Sequence, residues 1–133
     1  MPSEPAKAAS AAELYSAWVN GGGGSANLSD LSVLLESYYD VSAGDLEDFV
    51  LYMPAMSAAI EEVFVGRAKS GKVNDVKAAC QARLDDLKAD AELYPATAGN
   101  LESAQLEVVG DWVVFAVCAN GSALVKTVKD AVN

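Results

Sequence analysis

The chain has 133 residues, 52% of them hydrophobic, and a formal net charge of −10 from nine Lys plus Arg against nineteen Asp plus Glu. That length suits one domain with a real core, and the acidity repels a phosphate backbone, so no nucleic-acid partner is expected. Histidine is absent, which rules out Ser-His-Asp and Cys-His arrangements and removes the usual nitrogen ligand for zinc.

Residues 1–10, MPSEPAKAAS, are rich in Pro, Ser and Ala and carry no apolar anchor. They read as a flexible spacer ahead of a single domain over 11–133. They lack the apolar central region of a signal peptide, which fits a chain whose leader has been removed. AAELYSAWV (Ala11 to Val19) sets Leu14 with Trp18 and Tyr15 with Val19 at i, i+4, the spacing of a short amphipathic helix. The Gly-rich stretch over 20–25 breaks it, because four glycines lose too much backbone entropy in a helix. A second helix is expected over NLSDLSVLLESYY, with Asn27 as N-cap and Leu28, Leu31, Leu35 and Tyr38 on one face.

FVLYM (Phe49 to Met53) and EEVFVGRA (Glu61 to Ala68) read as strands. A turn at SGK leads into a long helix, capped by Asn74 or a neighbour and ended near Tyr94 by Pro95. Its apolar stripe is Val73, Val76, Cys80, Leu84, Leu87, Ala91 and Tyr94. AQLEVV and WVVFAVC flank Gly110-Asp111, a pair suited to a tight hairpin turn. Asn120-Gly121 turns the chain again, and Ser122 caps a closing helix. The order is α-α-β-β-α-β-β-α, an α+β domain with a four-stranded, mainly antiparallel sheet and helices packed on it. WVVFAVC is apolar on both sides of its alternation, which predicts a central strand covered on both faces, the second by the N-terminal helices or by another subunit.

GRAKSGKV (Gly66 to Val73) is one residue short of the phosphate-binding loop G-x-x-x-x-G-K-[ST]. Val73 stands where a magnesium-binding hydroxyl is needed, and the neighbouring strands read as hairpins rather than as a parallel sheet. The stretch is read as a strand-to-helix turn, and no cofactor is expected. Cys80 and Cys118 fit buried small hydrophobes; a disulfide is open if the chain is exported, and a nucleophilic thiol would have no His to activate it. Acidic groups at Asp40 to Asp48, at Glu61 and Glu62, and at Asp85, Asp86, Asp90 and Glu92 read as solvated faces and caps, without the spaced pattern of a calcium loop. No catalytic or metal-binding residue stands out. Arg83, at the edge of the long helix's stripe, suits a stem laid on the core and a paired carboxylate. Alternatively it faces an anionic ligand with Arg67 as a second donor. Tyr52, Met53 and Met56 in YMPAM form an adaptable surface or part of the core. These five, Tyr52, Met53, Met56, Arg67 and Arg83, are the candidate ligand-binding residues.

Tyr38 or Tyr39, Met53-Pro54, Glu61-Glu62, Ala68 to Lys72, Arg83 and Gly110 to Val117 together resemble an uncharacterised family of small exported lipoproteins from Gram-positive bacteria of the clostridial type. The family is known only as a domain of unknown function, and the resemblance spans roughly Leu28 to Val132. It implies a domain outside the cytoplasmic membrane, attached through a lipidated cysteine of the precursor rather than spanning. It carries over no catalytic residue. The expected function is a non-catalytic, lipid-tethered envelope domain that binds a protein, peptide or small ligand. The alternatives are a small carboxylate-based extracellular hydrolase and a structural or oligomer-forming domain, with a homodimer left open.

Overall fold

The structure, a computed structural model, describes residues 10–23, 28–54, 61–93, 101–118 and 120–132. The spacer over 1–9, Asn27, Met56, Tyr94 and Pro95 lie outside the described residues. Helix α1 (Ala11–Asn20) opens on a reciprocal cap: the Glu13 N–H donates to Ser10 Oγ, and the Ser10 N–H donates to the Glu13 carboxylate. The Ala11 N–H is met by Asp48 Oδ2 at 2.6 Å, which pins the positive end of the helix to the sheet.

The stretch expected to be one helix over 27–39 is divided. Leu28–Asp30 forms a short strand, β1; a 3-10 turn, Ser32–Leu34, follows, and only Leu35–Tyr39 is α-helical (α2). Pairing overrode the helical spacing, because β1 covers the outer edge of the next strand, β2 (Leu46–Pro54), in the register Leu28 with Pro54 and Asp30 with Tyr52. The Leu31 N–H then donates to the Leu51 carbonyl, and Ser32 Oγ accepts from the Leu51 N–H at 3.0 Å. Asp30 stops the strand by accepting from the Ser32 N–H. One consequence is that Tyr39, not Tyr38, turns into the core.

Strand β3 (Glu62–Ala68) leads through a turn at Gly71, φ +82°, into α3 (Val73–Leu93). The Lys72 carbonyl accepts from the Val76 N–H, so Lys72 rather than Asn74 sits at the N-cap position. Strands β4 (Gln105–Val109) and β5 (Trp112–Val117) form the hairpin, with Gly110 at φ +61° as the first turn residue. Helix α4 (Gly121–Val132) closes the chain; the Asn120 carbonyl takes its first bonds, and Ser122 lies inside the helix.

Among the described residues the sheet therefore has five strands, not four, in the order β1-β2-β3-β5-β4, antiparallel throughout. β5 is an interior strand, next to the edge strand β4 rather than at the centre, which β3 holds, and it is buried along its whole length. On one face, Val63, Val65, Trp112, Val114 and Ala116 pack against Leu14, Tyr15 and Trp18 of α1 and Leu124, Val125 and Val128 of α4. On the other, Phe64, Val113, Phe115 and Val117 pack against Leu35 and Tyr39 of α2 and Val76, Cys80 and Leu87 of α3. Both faces of WVVFAVC are thus covered within one chain. The stripe of α3 runs as its spacing predicts through Val76, Cys80, Leu87 and Ala91, while Val19 of α1 stays 40% exposed.

Candidate functional site

Along β3 the side chains alternate. Glu62, Phe64 and Ala68 look toward α2 and α3, whereas Val63 and Val65 look toward α1 and α4. The alternation carries Glu62 under α3, at 2% exposure, and among the described residues it is the one buried charged side chain. Arg83, in the middle of α3, reaches down to it. Arg83 Nε donates to Glu62 Oε2 and Nη2 to Oε1, each at 2.9 Å, a two-pronged pairing of guanidinium and carboxylate. The Tyr39 hydroxyl, delivered by α2, donates to Glu62 Oε2. The outer face of the guanidinium lies 4.8 Å from the centre of the Tyr38 ring, which is 45% exposed.

The electrostatics follow the geometry. Burial pushes the Tyr39 phenol well above its ordinary value, and the Glu62 carboxylate and Cys80 add to the rise, against a smaller opposing effect from Arg83. For Arg83 itself burial acts downward, but the bond and charge of Glu62 outweigh it and raise the guanidinium further. The cluster is a closed set of partners: each donor of Arg83 and Tyr39 named above ends on one of the two oxygens of Glu62. Among the described residues no buried side-chain nitrogen or oxygen lacks a partner.

The five residues singled out in the sequence are not gathered into one site. Tyr52 of β2 lies flat on Tyr15 of α1, ring centres 3.7 Å apart and planes 6° from parallel, on the α1 and α4 side. Met53, its neighbour, points to the opposite side at 8% exposure. Met56 is outside the described residues. Arg67 is near the far end of β3 from Glu62, about 17 Å along the strand at 3.3–3.4 Å per residue, and it pairs with Asp111 at 3.9 Å. It cannot act with Arg83. Arg83 takes the paired, core-covering place described for it above. Glu62, grouped with Glu61 among the acidic residues read as solvated faces and caps, is buried instead, and Tyr39 entered the sequence reading only through the resemblance; neither was a candidate site residue. The available signal was the phase of β3, which puts Glu62 rather than Glu61 on the face of Phe64.

The stretch Gly66 to Val73 is a strand-to-helix turn between elements of an antiparallel sheet, and Lys72 lies 4.0 Å from Asp45. Cys80 and Cys118 are both free and buried, one in each core, with the sheet between them. No disulfide can join them, and burial raises both thiols. Among the described residues no group of three or more Cys, Asp and Glu side chains is placed to hold a metal ion, and no described helix is long and apolar enough to cross a membrane.

Two clefts open on the α1 and α4 side. One, about 250 Å³, lies where Gly21 to Gly23 fold over Trp18 beside Asn120 and Thr127. The Gly23 backbone touches the indole so closely that a Cβ there would fall 2.2 Å from Trp18 Nε1, which itself donates to the Asn120 carbonyl at 3.1 Å. The other, about 360 Å³, is a groove between β4 and α4 lined by Gln105, Glu107, Val125, Lys126, Lys129 and Asp130.

The model of one family, Domain of unknown function (DUF4358), matches residues 26–118. The chain belongs to that family. No curated protein and no solved structure matches it. The matched residues contain the whole sheet together with α2 and α3, and both helices of the opposite face, α1 and α4, lie outside them.

Proposed function

We propose that this family member is a non-catalytic binding domain of the cell envelope, tethered outside the cytoplasmic membrane by a lipid on its natural precursor, with a protein, peptide or small ligand as its partner. The observation that carries the non-catalytic part is the closure of the Glu62 cluster. A carboxylate doing acid or base chemistry must reach substrate, and a wall-polymer hydrolase needs a second one about 5 to 10 Å away across a cleft. Glu62 is instead covered by α3 and bound on both oxygens by Arg83 and Tyr39. The extracytoplasmic tether rests on the resemblance of the strand and hairpin motifs to exported lipoproteins and on the spacer-like composition of residues 1–10.

A thermal-shift series with calcium, amino acids, wall disaccharides and short peptides tests the binding reading. A ligand at 100 times its dissociation constant should stabilise by about 2.7 kcal/mol, and the shift should survive Glu62→Gln once that variant's own melting point is taken as baseline. Release of product from a wall fragment by the wild-type chain, abolished in Glu62→Gln, would overturn it in favour of a hydrolase. Intact mass of the protein from its native membranes tests the tether: a diacylglyceryl adduct is expected, and an unmodified chain in the cytosol would remove that part.

A further inference from the structure

The two edges of the sheet are finished differently. At the β2 edge, β1 pairs with Tyr52 to Pro54, and Leu31 and Ser32 take the carbonyl and N–H of Leu51. At the β4 edge, no described segment pairs with the strand. In a two-residue hairpin the pair beside the turn is hydrogen-bonded. With Val109 opposite Trp112, the residues bonded to β5 are therefore Val109, Glu107 and Gln105. Leu106 and Val108 turn their N–H and C=O outward, two donors and two acceptors in a row, and none of these groups has a backbone partner among the described residues. Val108 is 38% exposed. The groove of about 360 Å³ runs beside this edge, under α4.

We propose that this edge is a docking site for an extended segment of a basic polypeptide, which adds to the sheet as a sixth strand. The inference rests on the binding reading above and names its surface and partner class. A strand bonded to Leu106 and Val108 sets one side chain directly opposite Glu107, on the groove side. Charge decides what that residue is. In a pairing of two copies about a two-fold axis at this position, Glu107 would face Glu107 of the second chain, and like charges directly opposite are unfavourable. Each chain also carries a net charge of −10, which repels a second copy and attracts a cationic segment. Lys126 is already held by Asp130 at 2.8 Å. Lys129 also lines the groove, so the match is of a cation to Glu107 rather than to the groove as a whole. Main-chain bonds supply affinity in this mode, and the alternate side chains supply selectivity.

The test uses the full chain and two blocked octapeptides, one alternating Lys with Val and the other Glu with Val. The Lys peptide should bind and slow amide exchange at Leu106 and Val108 at least tenfold; the Glu peptide should not. Val108→Pro removes an outward N–H, a position where an edge strand accepts proline, and should abolish binding while the melting point holds. Glu107→Lys should reverse the preference to the Glu peptide. Binding of either peptide that leaves exchange at Leu106 and Val108 unchanged, or equal binding of both peptides, overturns the inference. Failure of both peptides also overturns it. A concentration-dependent dimer that Val108→Pro dissolves overturns it in favour of self-pairing. A ligand from the thermal-shift series whose effect persists in Val108→Pro keeps the binding reading and removes only this edge.

Discussion

Tyr15 lies with its ring flat on Tyr52, and its phenol is pushed up to about 12, first by burial and then by the charges of Tyr52 and Glu61. Its unfolded counterpart ionises near 10. Between those two values the unfolded chain has lost the proton and the folded chain has not, so the folded state loses ground steadily as pH rises. Tyr39 acts in the same direction. The buried thiols of Cys80 and Cys118, whose ordinary value is 9.0, act in the same direction from a lower pH. Urea midpoints should therefore be level up to about pH 8 and fall from there to about pH 12, with ultraviolet titration showing phenols that ionise only as the fold gives way. Level midpoints through pH 12 would contradict this. Gly23 offers a steric test at the same scale. The indole of Trp18 is anchored to the Asn120 carbonyl and cannot retreat from an added Cβ without breaking that bond. Gly23→Ala should cost about 1–3 kcal/mol in urea unfolding, although the residue is a loop glycine next to three others.

At the scale of elements, β1 is held by bonds from a distant segment. Ser32 Oγ receives the Leu51 N–H in a partly buried place, and Ser32→Ala leaves that donor without a protein partner. A loss of about 1–3 kcal/mol is expected, with faster amide exchange confined to β1 and the edge of β2. The same element shows where sequence reading stops. Leu28, Leu31 and Leu35 have helical spacing, and nothing local says that Leu28 to Asp30 will be drawn out to pair with Tyr52 to Pro54. Long-range pairing won over propensity. By contrast α3, the Gly110-Asp111 hairpin and the doubly covered β5 were legible, because each announces itself within its own residues through a stripe, a turn pair or an unbroken apolar run. The site was half legible. Arg83 stood out as a cation beside an apolar stripe, but Glu62 and Tyr39 acquire their meaning only when β3 and α2 are laid under α3.

Across the whole molecule, the sheet separates two cores, and each cysteine belongs to one of them. Neither thiol should react with a disulfide reagent in the native protein, both should react in urea, and reduction should leave gel mobility unchanged. The family match spans the sheet and the α2 and α3 side, and the Glu62 cluster joins three elements within that side's apolar core: β3 supplies the carboxylate, α3 the guanidinium and α2 the phenol. Such a pair stabilises only while it is complete, since removing one partner strands a charge out of water.

A double-mutant cycle on Glu62 and Arg83, read by urea unfolding, is the most direct test. With the Arg83 side chain 12% exposed and that of Glu62 2%, Glu62→Met and Arg83→Met should each cost about 3–5 kcal/mol. The double variant should recover part of that loss and remain about 1–3 kcal/mol below the natural chain, because the buried Tyr39 hydroxyl is left without its acceptor. Adding Tyr39→Phe should recover most of the remainder. Single variants that unfold like the natural chain would contradict the account, because the pair would then hold nothing together and its charges would be left for a ligand or a reaction.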